Sequence, residues 1–114
     1  MVLAQWISGR RYDGIFTNDD FAVGALKALS ELGVPVPGEV RIVGFDDIQY
    51  ASFSIPSLSS VRIDKYLLGA EAVRTLVALI ESPEKASSIK KTIRPTLIVR
   101  GSTGGVPFAA RKAE

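Results

Sequence analysis

The chain has 114 residues, of which 46% are hydrophobic and 23% are charged. This composition is ordinary for one globular domain and excludes an intrinsically disordered chain, which would combine low hydrophobicity with high net charge. The formal net charge of +2 is too small to indicate nucleic-acid binding by itself. Because histidine and cysteine are absent, this chain cannot form a Ser-His-Asp triad, an HExxH metal site or a disulfide.

Hydropathy bears on location. No stretch of the sequence stays apolar over the roughly 18 residues that a transmembrane helix requires. The first six residues, MVLAQW, have neither the basic region nor the cleavage site of a secretory signal. We therefore expect a cytoplasmic protein.

Helical and strand patterns alternate in the first half of the chain. Residues 2–9 predict a short helix, and residues 12–17 predict a turn that leads into a buried strand. Three potential N-cap residues, Asn18 to Asp20, then open a helix whose apolar positions share one face. Gly33 is expected just after that helix, and the β-branched residues within 40–45 predict a second buried strand.

The second half continues this alternation, with Asp64 as the expected N-cap of its helix. The predicted elements are an irregular or short helical segment (48–55), a strand (58–63), a helix (65–81), a strand near the sheet edge (93–100) and a frayed tail from Gly101. Strands that alternate with helices of ten or more residues predict an α/β fold with a parallel sheet.

Polar side chains follow the first two predicted strands. Asn18, Asp19 and Asp20 come after the first strand, and Asp46 and Asp47 come directly after the second. Open parallel sheets bind ligands beyond the carboxyl ends of their strands, so this edge could accept hydrogen bonds from a hydroxylated molecule. The alternative is structural, with Asp19 or Asp20 capping the helix and the Asp46-Asp47 pair forming a tight turn.

Other chemistry is conceivable at these positions. The same carboxylates could hold Mg²⁺, which prefers oxygen ligands. A phospho-acceptor site of that kind also needs a Lys and a Ser or Thr at later strand ends, and Ser59, Ser60 and Lys65 do not match that pattern. The glycine-rich residues 101–105 contain no Lys and precede no predicted helix, so they do not fit a phosphate-binding loop.

Four segments in register resemble the LacI/GalR family of bacterial transcriptional repressors. They are YDGIFTNDDFAVGAL at 12–26, LGVPVPGEVRIVGFDD at 32–47, PSLSSVR at 56–62 and LIVRGST at 97–103. The resemblance implies a partial Rossmann-like parallel sheet layer flanked by helices, as in type I periplasmic-binding-protein-like folds. It assigns residues 1–103 to the C-terminal part of the effector-binding and dimerisation core and leaves 104–114 as a flexible tail.

The resemblance also implies site residues. Asn18 and Asp46 fall where the family binds its small-molecule effector, often a sugar, in a cleft between two lobes. Ile63 stands where many members carry a polar Gln, so the sequence departs from the family there. An effector-sensing region of this kind is not an enzyme and needs no cofactor or metal. The alternative function is that of a fragment of a sugar-binding transport protein.

Partners follow from the same resemblance. Val23, Leu26, Tyr50 and Phe53 fall where family dimers meet, so we expect a homodimer. The helix at 65–81 resembles one that packs on a lobe largely outside this sequence, and exchange of residues 65–100 between two copies is one way to cover it. Operator DNA would be contacted only through an N-terminal domain that this sequence lacks.

Overall fold

The computed structural model describes residues 9, 12–84 and 89–105. The predicted helix at 2–9 lies outside these residues except for Gly9, and so does most of the predicted tail. The described chain divides into two compact units, Met1–Arg62 with Leu97–Glu114, and Ile63–Thr96.

Three parallel strands define the first unit. Strands β1 (Gly14–Phe16), β2 (Arg41–Phe45) and β3 (Ser59–Arg62) lie side by side in chain order, and β4 (Thr96–Ile98) extends the sheet beyond β3. Ile15 pairs with Ile42, and Gly44 pairs with Ser60. This arrangement confirms the predicted α/β sheet layer.

Helix α1 (Asp19–Glu31) connects β1 to β2. Its N-cap is Asn18, whose side chain accepts a hydrogen bond from the amide of Phe21. The expectation that Asp19 or Asp20 caps this helix is therefore wrong, and both residues lie in its first turn. Gly33 follows the helix at a φ of 69°, a conformation that glycine adopts without steric cost.

The core of this unit lies between α1 and the sheet. Helix α2 (Gln49–Phe53) contributes one residue, and partly buried side chains such as Val23 and Val34 pack around the cluster. The buried apolar residues are Ala22, Ala25, Leu26, Leu29, Val40, Ile42, Ala51 and Leu58. Burial of each large aliphatic side chain in such a cluster contributes about 2 kcal/mol to folding.

The C-terminal part of this unit differs from the sequence-based expectation. Strand β4 has three residues rather than the predicted 93–100, since Pro95 has no N–H with which to extend the ladder before Thr96. The frayed tail predicted from Gly101 is wrong for the residues that follow. A 3₁₀ helix spans Gly101–Thr103, and Ser102 within it is fully buried.

The second unit consists of helix α3 (Lys65–Glu81) and the segment that follows it. Asp64 caps the helix as predicted, accepting from the amide of Leu67 at 2.8 Å. Glu71 pairs with Lys91 and Arg74, and these hydrogen bonds lower the pKa of its carboxyl. No residue of α3 is buried. Its exposed large apolar side chains are Tyr66, Leu67, Leu68, Val73, Leu76, Val77 and Ile80.

Candidate functional site

Asn18 and Asp46 follow the carboxyl ends of two neighbouring strands. Strands β1 and β2 are parallel and hydrogen-bonded, and their pairing continues as Thr17 donates to the carbonyl of Val43 at 3.2 Å. Asn18 lies two residues beyond β1, and Asp46 directly follows β2. The fold therefore brings both predicted residues to the same edge of the sheet, where open α/β sheets bind ligands.

Asn18 is exposed and uses only part of its hydrogen-bonding capacity. Its Oδ1 accepts from the amide of Phe21 at 3.1 Å. Its Nδ2 donates to no residue that the structure describes. One side chain therefore caps the helix and presents, at the sheet edge, two N–H donors that no described residue engages.

Asp46 has an unusual backbone conformation. Its φ is 104°, which L-residues rarely adopt. Its amide donates to the carbonyl of Val61 at 2.9 Å, while its half-buried carboxylate has no hydrogen-bond partner among the described residues. The carboxylate can accept hydrogen bonds from two hydroxyl groups of one ligand.

Asp47 is engaged with two arginines. Its Oδ1 accepts from Arg100 at 2.7 Å, and its Oδ2 accepts from Arg62 at 2.6 Å. Burial of this side chain, which is 5% exposed, would raise the pKa of Asp47. The hydrogen bonds and charges of Arg100 and Arg62 outweigh that effect and lower the pKa below its ordinary value. The ionised carboxylate of Asp47 therefore has a structural role, holding Arg62 and Arg100 next to Asp46.

Asp19 is buried and fully hydrogen-bonded within the protein. Its Oδ1 accepts from the hydroxyl of Ser60 at 2.6 Å, and its Oδ2 accepts from the amide of Ile48 at 2.8 Å. Gly44 on β2 leaves room for this carboxylate, because a Cβ at that position would lie 1.8 Å from Oδ1 of Asp19. Neither oxygen of Asp19 is available to a ligand.

Sequence reasoning missed the role of the serines. Ser59, Ser60 and Ser102 are all fully buried and hydrogen-bonded. A signal was present in the sequence, since two serines interrupt a strand between Leu58 and Val61 where a strand covered on both faces should be apolar. Buried hydroxyls require partners, so this interruption indicated a polar network.

A magnesium site finds no support among these carboxylates. Within residues 12–84 and 89–105, no group of three acidic, His or Cys side chains is placed to hold a metal ion. The carboxylates of Asp19 and Asp47 are occupied by Ser60 and by the arginines.

The structure also contains no helix, in the part of the chain it describes, that is long and apolar enough to cross a membrane.

The four predicted interface residues lie in different environments. Tyr50 and Phe53 on α2 are 72% and 70% exposed. Val23 is half-buried against the core, and Leu26 is 5% exposed and belongs to the core cluster. In this structure, the exposed apolar surface at the predicted interface is therefore provided by Tyr50 and Phe53.

Comparison with known proteins identifies the class. The family described as a periplasmic binding protein-like domain matches residues 3–103. The HTH-type transcriptional regulator AscG of Escherichia coli strain K12 is 42% identical over 88 residues, which cover 74% of this chain and 26% of AscG. The lactose operon repressor of Rhizobium radiobacter is 34% identical over 88 residues, which cover 77% of this chain and 76% of that repressor.

A solved structure agrees with these matches. The lac repressor dimer bound to operator and the anti-inducer ONPF superposes with a TM-score of 0.76 and 28% identity, over 90% of this chain and 31% of that one. The chain belongs to the LacI/GalR family of transcriptional regulators, within their periplasmic-binding-protein-like region. It spans about a quarter of the length of AscG. The relatives named here are regulators rather than enzymes or transport proteins.

Proposed function

We propose that this chain is the effector-sensing and dimerisation region of a LacI-type transcriptional regulator and that it has no catalytic activity. The main observation behind the proposal is that two polar groups without hydrogen-bond partners among the described residues lie at one sheet edge. The amide Nδ2 of Asn18 and the carboxylate of Asp46 follow adjacent parallel strands, and neither group bonds to any residue that the structure describes.

The two groups favour a neutral, hydroxylated effector such as a sugar. A sugar hydroxyl can donate to the Asp46 carboxylate and accept from the Asn18 amide, so neighbouring hydroxyls can engage both residues. The name of the Rhizobium relative refers to lactose, and this supports the sugar class. In the full regulator, binding of the effector would change the affinity for operator DNA.

Operator contact is not part of the function proposed for residues 3–103. The family that matches this range is a periplasmic binding protein-like domain. The helix-turn-helix element in the name of AscG is a different structure. Action on the bacterial chromosome would place the protein in the cytoplasm.

Self-association is the second part of the proposal. The exposed rings of Tyr50 and Phe53 form an apolar surface on the first unit, and isolated monomers rarely expose large contiguous apolar patches. The lac repressor was solved as a dimer, which supports a homodimer here. Exchange of residues 65–100 between copies would in addition cover apolar side chains of α3, none of which is buried.

Calorimetric titration of the full chain with neutral saccharides, lactose among them, tests effector binding. The informative variants are Asp46→Asn, which removes the charge, and Asn18→Ser, which retains a good N-cap and removes the amide. We expect the affinity to fall at least about tenfold in Asp46→Asn, which weakens a hydrogen bond to a charged group, and about three- to tenfold in Asn18→Ser, which removes a neutral one. Asp20→Asn, which alters an exposed neighbour on the same turn, is the matched control and should bind normally.

Two results would contradict the proposed function. One is the absence of heat with every saccharide tested, although the chain is folded. The other is wild-type affinity in the Asp46→Asn variant, since that carboxylate is the main acceptor in the proposed site.

A further inference from the structure

Three consecutive amides at the end of β2 are each held by a group on another element. The amide of Asp46 donates to the Val61 carbonyl at 2.9 Å, and that of Asp47 donates to the Ser60 hydroxyl at 3.0 Å. The amide of Ile48 donates to Oδ2 of Asp19 at 2.8 Å. Residues 46–48 are thus fixed by β3 and by the first turn of α1.

Ser60 and Asp19 connect two of these contacts. The Ser60 hydroxyl accepts from Asp47 and gives its single proton to Oδ1 of Asp19, whose other oxygen holds Ile48. Ser60 is 0% exposed and Asp19 is 1% exposed, so neither can reach a bound effector. The Ser60 hydroxyl and the Asp19 carboxylate therefore form their hydrogen bonds with protein groups.

The restrained segment contains two unfavourable backbone conformations. Asp46 has a φ of 104° and Asp47 a φ of 49°. Residues with a Cβ disfavour positive φ, and such conformations persist only where the surrounding contacts over-determine them. The contacts that do so here are the three anchored amides.

We propose that Ser60 and Asp19 are positioning residues of the effector site. Asp19 directly follows Asn18 on the chain, and its carboxylate fixes the segment that contains Asp46. The Asp19–Ser60 pair thereby sets the spacing between the amide of Asn18 and the carboxylate of Asp46, and a sugar must match that spacing. This inference rests on the proposed function, but its structural part can be measured without a ligand.

The test compares Ser60→Ala with Ser102→Ala in the full chain. Both serines are fully buried, and each makes two hydrogen bonds, but those of Ser102 go to Ser59 and Ile42, away from residues 46–48. The first readout is the intraresidue HN–Hα NOE of Asp46 and Asp47, which is strong at positive φ. The second is saccharide affinity by calorimetry.

We expect Ser60→Ala to weaken both NOEs and to lower saccharide affinity about tenfold, because a displaced Asp46 carboxylate would lose about one hydrogen bond to the sugar. Ser102→Ala should lower stability and leave both readouts unchanged. If Ser60→Ala does not fold, Asp19→Asn takes its place, because it preserves the shape of the side chain but has only one acceptor oxygen, so it cannot accept from both Ile48 and Ser60.

Unchanged NOEs in the Ser60 or Asp19 variant would overturn the inference, and so would equal changes in Ser102→Ala. If the wild-type chain binds no saccharide, the proposed function fails while the NOEs still decide whether the pair positions Asp46. Unchanged affinity with altered NOEs would show that the backbone is held by this pair but that binding does not depend on it, and this too would overturn the positioning role.

Discussion

The hydroxyl of Ser102 donates a 2.6 Å hydrogen bond to the carbonyl of Ile42, 60 residues away in the chain. The same hydroxyl accepts from the amide of Ser59 at 2.8 Å. Ser102 is fully buried and thus joins the C-terminal 3₁₀ helix to two strands of the sheet. This contact explains why the chain beyond β4 is ordered through Thr103 instead of fraying.

Ser102→Ala should destabilise the protein by about 2–3 kcal/mol, because it leaves the Ile42 carbonyl and the Ser59 amide buried without a partner. Urea unfolding measures the change. Ser52→Ala is the control, since the exposed Ser52 hydroxyl donates to the carbonyl of Gln49, and its cost should stay below about 0.5 kcal/mol. Equal losses in the two variants would show that the buried link contributes nothing particular.

A pair of glycine substitutions tests the close approach of α1 to β2. Gly44→Ala would place a methyl group 1.8 Å from Oδ1 of Asp19, so we expect a loss of at least about 3 kcal/mol or failure to fold. Gly24→Ala, in α1, where the added Cβ meets no atom within 4 Å beyond the adjoining backbone of its own helix, should stabilise by about 0.5–1 kcal/mol. Thermal unfolding of both variants measures these changes in stability. A Gly44→Ala variant as stable as the wild type would contradict the close approach of α1 to β2.

The ion pairs of Asp47 predict a specific acid sensitivity. Because its pKa is lowered in the folded state, ionised Asp47 stabilises the fold at neutral pH, and this contribution is lost as the pH falls below about 4. Asp47→Asn should reduce the slope of stability against pH in that window. The slope should not vanish, since Glu71 also has a lowered pKa. Identical slopes in wild type and variant, measured by urea unfolding at several pH values, would contradict the assignment.

Asp46→Gly should separate stability from binding. Glycine adopts a φ of 104° without steric strain, so we expect a gain of about 0.5–1 kcal/mol, partly offset by the greater entropy of unfolded glycine. The same change removes the carboxylate and should abolish saccharide binding. Unfolding curves and calorimetry on one preparation give both quantities. A less stable variant would show that the carboxylate stabilises the fold, contrary to the role proposed here.

Tyr50 and Phe53 should determine self-association. Light scattering over a range of concentrations should give twice the monomer mass for the wild type and a shift toward monomer in the Tyr50→Ser/Phe53→Ser double variant. Val73→Ser, at an exposed apolar site of α3, distinguishes the two modes of association, since it should remain dimeric where Tyr50 and Phe53 form the contact and shift toward monomer where exchange covers α3. A wild type that is monomeric at all concentrations would remove the basis for a dimer.

Segment exchange has a kinetic consequence. If residues 65–100 are exchanged, subunits can mix only after partial unfolding, so two differently labelled preparations should form mixed dimers slowly. Energy transfer between the labels follows this mixing. Fast mixing would leave the surface around Tyr50 and Phe53 as the interface and exclude the exchanged form.

Local chemistry in the sequence determined the order of the elements and their ends. Buried apolar runs predicted the first strands and apolar residues at helical spacing predicted the helices α1 and α3, because these patterns depend on residues at most four positions apart. The cap Asp64 and the glycine at position 33 were predictable for the same reason, whereas the sequence left the N-cap of α1 open among Asn18, Asp19 and Asp20. The placement of Asn18 and Asp46 at one sheet edge followed from the parallel order.

Tertiary structure decided which polar groups remain available. Asp19, Asp46 and Asp47 look equivalent in the sequence, yet the structure buries the first, pairs the third with arginines and leaves the second without a partner among the described residues. These outcomes depend on Ser60 and Arg100, which lie 41 and 53 residues from the carboxylates they contact. No local pattern encodes contacts over such separations, because only the packed sheet brings the partners together.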